Sequence, residues 1–285
     1  MSRVRFIILL GMALAACAGT PVPTALPSAT PTPAPKRVLF INGNFIPESG
    51  YPHSRVTDDG KTPESFSRLR AEVLESDLHL AVDEMILTGA AAITPEILKN
   101  NAVVVLGSNN RHLQPAEVDA LQNYYAAGGS LLFYADFQYG PDNWASDNDF
   151  LTTQGIEVLP DNFQPRTKIA FAASPHPIAQ NIKQIEVEGI SQFLISDAAQ
   201  KNATIIATCS PLERSGCALQ PNEQARVKAK DVVACVFVQQ NGAGRLAGLC
   251  DRNLFHNGPQ KDGTDLNQAD NLIFAKNLFG WLARK

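Results

Sequence analysis

Three short runs without a charged residue constrain this chain most: Val38-Leu39-Phe40-Ile41, Ala102-Val103-Val104-Val105-Leu106 and Leu131-Leu132-Phe133-Tyr134. A strand wetted on one side alternates polar and apolar residues. A strand that does not alternate is buried on both faces, as in a parallel sheet covered by helices. Each run stops at a polar or glycine-containing turn, at Asn42-Gly43-Asn44, at Gly107-Ser108-Asn109-Asn110 and at Ala135-Asp136. Helix starts are signalled by Thr62-Pro63-Glu64, Thr94-Pro95-Glu96 and, more weakly, Gln114-Pro115-Ala116-Glu117, combining a cap, a first-turn proline and an acid. The spacing predicts helices over 63–80, 95–100 and 115–127. Phe66, Leu69, Val73 and Leu74 form the buried stripe of the first, and Gly128-Gly129 stops the third. A strand is expected near Val82 to Leu87. This alternation predicts an α/β fold with a mostly parallel open sheet flanked by helices and right-handed crossovers.

The tail adds a C-terminal β-hairpin and a closing helix. Val232 to Gln239 and Arg245 to Leu249 flank Asn241-Gly242-Ala243-Gly244, which reads as a two-residue type II′ turn. Leu266 to Ala283 is the closing helix, with Ile273, Leu278, Trp281 and Leu282 available for burial. In the middle, 156–159, 168–171, 184–187 and 203–207 read as short strands and 151–155 as helical. The pattern leaves open whether these strands extend the main sheet or form a small layer beside it.

The first sixteen residues read as a signal peptide: Arg3 and Arg5, an apolar run, then small residues before Cys17. Leu14-Ala15-Ala16-Cys17 is similar to a bacterial lipobox, which implies cleavage before Cys17 and lipidation of its thiol. Residues 17–35 then form a lipidated, Pro/Thr-rich linker. The six prolines between Ala18 and Pro35 favour an extended spacer reaching about 55 Å. Residues 36–285 form one domain. Of 24 basic residues, Arg3 and Arg5 leave with the signal; 22 then stand against 28 acidic ones, so the mature chain carries −6. An acidic chain without a basic run is not expected to bind nucleic acid, or a membrane through charge. The membrane contact expected here is lipid attached to Cys17, on the extracytoplasmic side of the cell envelope.

Four cysteines remain beyond Cys17, in a compartment that permits disulfides. Cys209 and Cys217 bracket a short Pro- and Gly-containing loop that a bridge would close. In the two-residue-turn register Cys235 falls opposite Cys250; the pair is either bridged or two small apolar groups in the core. There is no C-x-x-C, and the five histidines show no H-x-x-x-H spacing, so neither a metal nor another cofactor is expected.

Ligands of open α/β sheets bind beyond the carboxyl ends of the strands. The candidate binding residues are therefore Asn42, Gly43, Gly107, Asn109, Asn110, Asp136, Asp251, Arg252 and Asn253, with the 44–61 segment as a lid or a plain surface loop. The asparagines suit turns, and the glycines suit close backbone approach. Asp136 and Asp251 suit an acid–base pair or acceptors for sugar hydroxyls; alternatively, Asp136 begins a turn and Asp251 pairs with Arg252 or caps its loop. His256 is expected to be a solvated loop histidine, and Cys250 to be buried.

These strand ends, with VVVLGSNNRHLQPAEVDALQNYYAAGGSLLFYAD and GRLAGLCDRNLFHNG…ADNLIFAKNLFGWLA, resemble the class I glutamine amidotransferase-like fold. The resemblance runs over about 37–283. It is narrower to a non-catalytic branch, akin to the module of gliding-motility and intraflagellar-transport proteins. An active amidotransferase places a cysteine between glycines on a strand-to-helix elbow, where this chain reads Tyr134-Ala135-Asp136-Phe137-Gln138. The family His-x-Glu pair is replaced by Cys250-Asp251-Arg252. The resemblance thus implies a domain without glutaminase activity that binds a small ligand, a glycan or an envelope protein. The alternatives are a hydrolase, acting on glycans through Asp136 and Asp251, and a structural envelope module.

Overall fold

A computed structural model describes residues 34–43, 55–57, 63–87, 91–107, 111–135, 144–163, 166–171, 174–209, 219, 221–258 and 264–285. Pro35 to Lys285 form one compact unit. Its main sheet has seven strands: β1 (Arg37–Asn42), β2 (Ala81–Ile86), β3 (Val103–Gly107), β4 (Ser130–Tyr134), β9 (Ala203–Ala207), β11 (Val236–Asn241) and β12 (Gly244–Leu249). Their order is β2-β1-β3-β4-β12-β11-β9. The first five pair in parallel, and β11 is antiparallel to both of its neighbours. The apolar runs become the central strands: β3 and β4 are buried throughout, and β1 is buried from Val38 to Asn42. Edge strand β2 carries Asp83 and Glu84 and is only half-buried, which suits a strand with one open side.

Helix α1 (Leu69–Asp77) follows β1. Its stripe is as expected, with Phe66, Leu69, Val73 and Leu74 all buried. It differs from the expectation in starting later and in winding as a π-helix, with Leu78 N–H donating to the Val73 carbonyl five residues back. Helix α2 (Pro95–Leu98) is capped by the Thr94 hydroxyl, which accepts from Ile97 N–H at 3.4 Å. Helix α3 (Pro115–Ala126) opens with Glu117 accepting from Gln114 N–H at 2.8 Å. Gly128, at φ +100°, ends it. The region expected to be helical at 151–155 holds only the end of α4 (Ala145–Leu151) and a 3₁₀ turn.

The hairpin forms in the expected register. Asn241 pairs with Gly244, and Gly242 alone of the two turn residues has positive φ, as a type II′ turn requires. The preceding strand is not continuous, however. Val232–Ala234 (β10) belongs to a separate three-stranded antiparallel sheet with β8 (Ile190–Ile195) and β5 (Ile156–Phe163), and the chain crosses to β11 at Cys235. Cys235 is bridged to Cys250, with Cα atoms 4.7 Å apart. Cys250 also accepts from Ser191 N–H at the start of β8. The middle of the chain therefore divides: β9 extends the main sheet, β5 and β8 build the second layer, and β6 (Thr167–Ala170) with β7 (Gln184–Val187) forms a two-stranded ribbon.

Helix α5 (Asn271–Ala283) closes the domain. It begins five residues later than expected because Asp270 and Asn271 are committed to β7. Asp270 accepts from Lys183 and Gln184 N–H. Asn271 accepts from Glu186 N–H at 2.9 Å and donates to Glu186 O at 3.0 Å and Asp265 O at 2.9 Å, so one side-chain amide stands in for a neighbouring strand. The buried face is Phe274, Ala275, Leu278, Phe279 and Leu282; Ile273, expected inside, is 40% exposed. The last carbonyls are also satisfied: Trp281 O by Arg245, Leu282 O by Ser130 Oγ at 2.7 Å, and Ala283 O by Lys36 Nζ at 2.7 Å. These are the groups a helix leaves without partners at its C-terminus, and two cations there also favour its dipole.

Candidate functional site

Register fixes the carboxyl edge of the sheet. Asn42 pairs with Gly107, Gly107 with Tyr134, and Tyr134 with Leu249, so the ends of β1, β3, β4 and β12 lie side by side. Asn42, Gly43, Gly107 and Asp251 thus share one edge, as the parallel last strand demands. Asp136, Asn109 and Asn110, like most of the 44–61 segment, fall outside the described residues. The chain leaves β1 toward β2 on one side and takes up β3 on the other. The reversal in strand order therefore lies between the ends of β1 and β3, where ligands of open α/β sheets settle.

Packing divides this edge into two parts. At the β12 end the sequence-predicted residues are interior. Asp251 is 0% exposed, and its carboxylate accepts from Glu188 N–H and from Asn253 N–H, both at 2.7 Å. Asn253 is half-buried and donates to the Glu188 carbonyl at 3.2 Å. Glu188 in turn accepts from Thr264 N–H, and the Thr264 hydroxyl donates to the Glu186 carbonyl. Arg252 is 1% exposed. A guanidinium so removed from water belongs to the interior and not to an open rim. Cys250, in its bridge, has no thiol to offer. Of the readings open for Asp251 the loop cap is the one formed, and instead of lining an open crevice the same carboxylate ties the β12 loop to the β7–β8 turn.

His256 is corrected too. It is 2% exposed, with its ring 5.7 Å from that of Phe66. Phe66 also meets Tyr134 at 6.0 Å, Phe255 at 5.9 Å and Phe40 at 6.4 Å, mostly edge to face. This aromatic cluster covers the sheet edge beside β4 and β12. It is held by Asn257, whose amide donates to Ser65 Oγ and Ser67 Oγ and accepts from Arg68 N–H at 2.8 Å. Sequence reasoning placed Phe66 in the core but missed the clasp, because its halves lie about 190 residues apart. The nearest local signal was Asn257-Gly258, a turn dipeptide.

At the β1–β3 end, Asn42 is 2% exposed and its carbonyl accepts from Leu87 N–H. The reason for Gly107 differs from the expected one. A Cβ there would sit 1.7 Å from the Tyr134 ring, so the close approach is by Tyr134 rather than by a ligand. The described part of the expected lid, 55–57, is pinned to the end of β2. Arg55 donates to Glu84 at 2.7 Å, Val56 N–H to Glu84 at 3.3 Å, and Val56 is fully buried.

One further ion pair braces the fold near the end of β3. Arg111 binds the Glu117 carboxylate in a two-pronged pair at 2.7 and 2.8 Å, and Ile93 N–H donates to the same group. Burial works against the charged carboxylate, but Arg111 and the backbone donors outweigh it and hold the Glu117 pKa below its ordinary value. Among the described residues no cluster of His, Cys, Asp and Glu could hold a metal ion. Cys209 is disulfide-bonded, and its partner lies outside the described residues, as does Cys217.

Compared by sequence, the chain matches no family model and no curated protein. Compared by structure, it is similar to the N-terminal domain of mmIFT52, with a TM-score of 0.55 and 14% identity over 86% of this chain and 97% of the other. It is similar to a putative ThuA-like protein from Bacteroides uniformis, with a TM-score of 0.53 and 16% identity over 89% and 94%. A cytoplasmic protein from Salmonella typhimurium gives a TM-score of 0.50 and 14% identity over 86% and 97%. At such identities the likeness concerns the fold alone. The chain has an α/β fold with a mostly parallel sheet flanked by helices, an architecture it shares with these proteins and the one its apolar runs led us to expect.

Proposed function

We propose that this protein is a lipid-anchored, extracytoplasmic binding domain that takes up a small ligand or an envelope partner without turning it over. The observation that carries this reading is the fate of the β12 end. Its cysteine is bridged, and its aspartate is buried and holds two backbone donors, so the groups nearest a catalytic role serve the fold. Binding is assigned to the β1–β3 end, bordered by Asn42, Gly43 and Gly107; Asn109, Asn110 and Asp136 follow β3 and β4 in the sequence. The hydrolase alternative needs Asp251 free to exchange protons with a substrate, and its burial speaks against that. The bridge at Cys235–Cys250 and the bonded Cys209 accord with an oxidising compartment.

The test of binding is a thermal-shift and calorimetric screen of the mature protein against glycans and amides, with product analysis of every hit. Saturable binding without turnover supports the proposal. Turnover abolished by Asp136→Asn, with the fold intact, would establish the enzyme instead. The anchor is tested by fractionation: Cys17→Ser should release the protein from membranes or leave its precursor uncleaved, and unchanged processing and retention would end the lipoprotein reading.

A further inference from the structure

The other edge of the sheet carries a second surface. Every parallel strand begins there, and backbone bonds mark the line across it: Ala81 N–H to Lys36 O, Ala102 N–H to Arg37 O, Ser130 N–H to Ala102 O, Arg245 N–H to Gly129 O and Gln240 N–H to Asn202 O. Basic residues stand at or beside these strand starts: Lys36 and Arg37 at β1, Lys99 before β3, Arg245 in β12, Lys201 before β9, and Arg284 after α5. Lys285 follows. All are exposed except Arg245, which is half-buried. Acids near this row include Asp83, paired with Arg37, Asp77, paired with Lys276 at 2.7 Å, and the exposed Glu96 one turn before Lys99. At the neighbouring end of the small sheet the cations are matched or outnumbered by acids, with Arg226 between Glu157 and Glu223, and Lys230 near Asp197. From β1 to β9 the row spans five strand spacings, about 24 Å.

The concentration of positive charge is felt within the row. The Lys36 amine is held below its ordinary pKa, first by burial and then by Lys285, Arg284 and Arg245. In sequence these cations are scattered, which is why no basic run announces them. A parallel sheet gathers them because each of its strands is entered from the same side.

We infer that this amino edge is a docking surface for a membrane rich in anionic phospholipid. Charge complementarity gives the partner its sign. The choice of a membrane rests on the lipid-anchored reading, because Pro35, where the linker joins the domain, directly precedes Lys36. Juxtamembrane lysines and arginines strengthen binding to an anionic bilayer by about fivefold each, and the attraction fades within a Debye length. The Gly128-Gly129 and Gly242-Ala243 turns project no long side chain on this edge, so a flat surface can approach the row.

The test uses the mature chain carrying Cys17→Ser, so that no acyl chain contributes, and vesicles of phosphatidylcholine alone or of equimolar phosphatidylcholine and phosphatidylglycerol. Sedimentation should show binding to the anionic vesicles only, decreasing as salt is added. The side chains of Lys99 and Lys201 make no described hydrogen bond, so K99Q/K201Q should leave the fold intact and lower the partition coefficient about 25-fold. The control K168Q/K183Q changes the net charge equally on the ribbon side and should leave binding unchanged. Equal binding to both vesicle types, no binding to either, or the same loss in both double variants would overturn the inference. Acylation of Cys17 in the wild type is scored separately by mass, so failure of the anchor and failure of the docking edge remain distinguishable.

Discussion

Replacing Asp251 with alanine should destabilise the domain by about 2–4 kcal/mol. The carboxylate is fully buried and accepts two backbone N–H groups at 2.7 Å, from Glu188 and Asn253. Truncation leaves both donors without that acceptor in a site water does not reach, at about 1–3 kcal/mol each. The upper part of the combined range is discounted because the donors themselves are only half-buried. Asp251→Asn keeps one acceptor oxygen and should cost about half as much. Urea denaturation followed by fluorescence of the two tryptophans reads this directly. With m near ~3 kcal/mol/M for a chain of this size, the alanine variant should lower the midpoint by about 1 M. The reasoning fails if Asp251→Ala leaves the midpoint within about 0.2 M of wild type. A variant equally stable but deficient in ligand binding would restore Asp251 to the site.

Further outcomes follow from the same contacts. Cys235→Ala/Cys250→Ala removes a cross-link with a sequence separation of 15 and should cost about 3 kcal/mol by loop entropy; equal midpoints for the variant and the oxidised wild type would refute this. Asn271→Ala removes the acceptor of Glu186 N–H, while the Glu186 carbonyl keeps the Thr264 hydroxyl, and should cost about 1–3 kcal/mol, with amide exchange at Glu186 accelerating; unchanged exchange would show that β7 does not depend on it. Glu117 has a folded pKa below its unfolded one, so its contribution is present above the ordinary glutamate range and lost as pH falls through the folded value. Arg111→Gln should therefore lose stability at neutral pH and show a flatter acid limb, and parallel pH profiles would count against the pair.

The sequence showed the parts of the fold whose cause is local. The runs at 38–41, 102–106 and 131–134 lack alternation because both faces of those strands are covered, and a covered strand needs no other information. The hairpin register follows from Gly242, so the opposition of Cys235 and Cys250 was legible, although bridging was not. Elements set by distant partners were illegible. Ile190–Ile195 carries Ser191 and Gln192, both buried beneath neighbours that only the fold supplies, and it was not foreseen as a strand. Asp251 looked like a rim residue because its partner Glu188 lies 63 positions away. At Cys235 no breaker residue marks the passage between sheets. In the last helix Phe274 and Ile273 are adjacent and both apolar, so composition does not say which turns inward.

If the chain is tethered through the residues before Pro35, as proposed, the pull enters at β1, an inner strand paired in parallel with β2 from Arg37 to Asn42 and with β3 from Val38 to Asn42. Tension transmitted through the linker would run along the axis of β1 and load both ladders in shear, so many hydrogen bonds would have to yield together. A tether fixed to edge strand β2 or β9 would instead peel one ladder bond by bond. Lys36 adds a further hold, bonding the carbonyls of Ala283 and Arg284 at the end of the closing helix. A tether at this position would be mechanically strong, and single-molecule stretching through residue 36 should meet a higher unfolding force than stretching through residue 81 or 203. A protein held at a surface while a partner is dragged past it would lose the partner before it lost its fold.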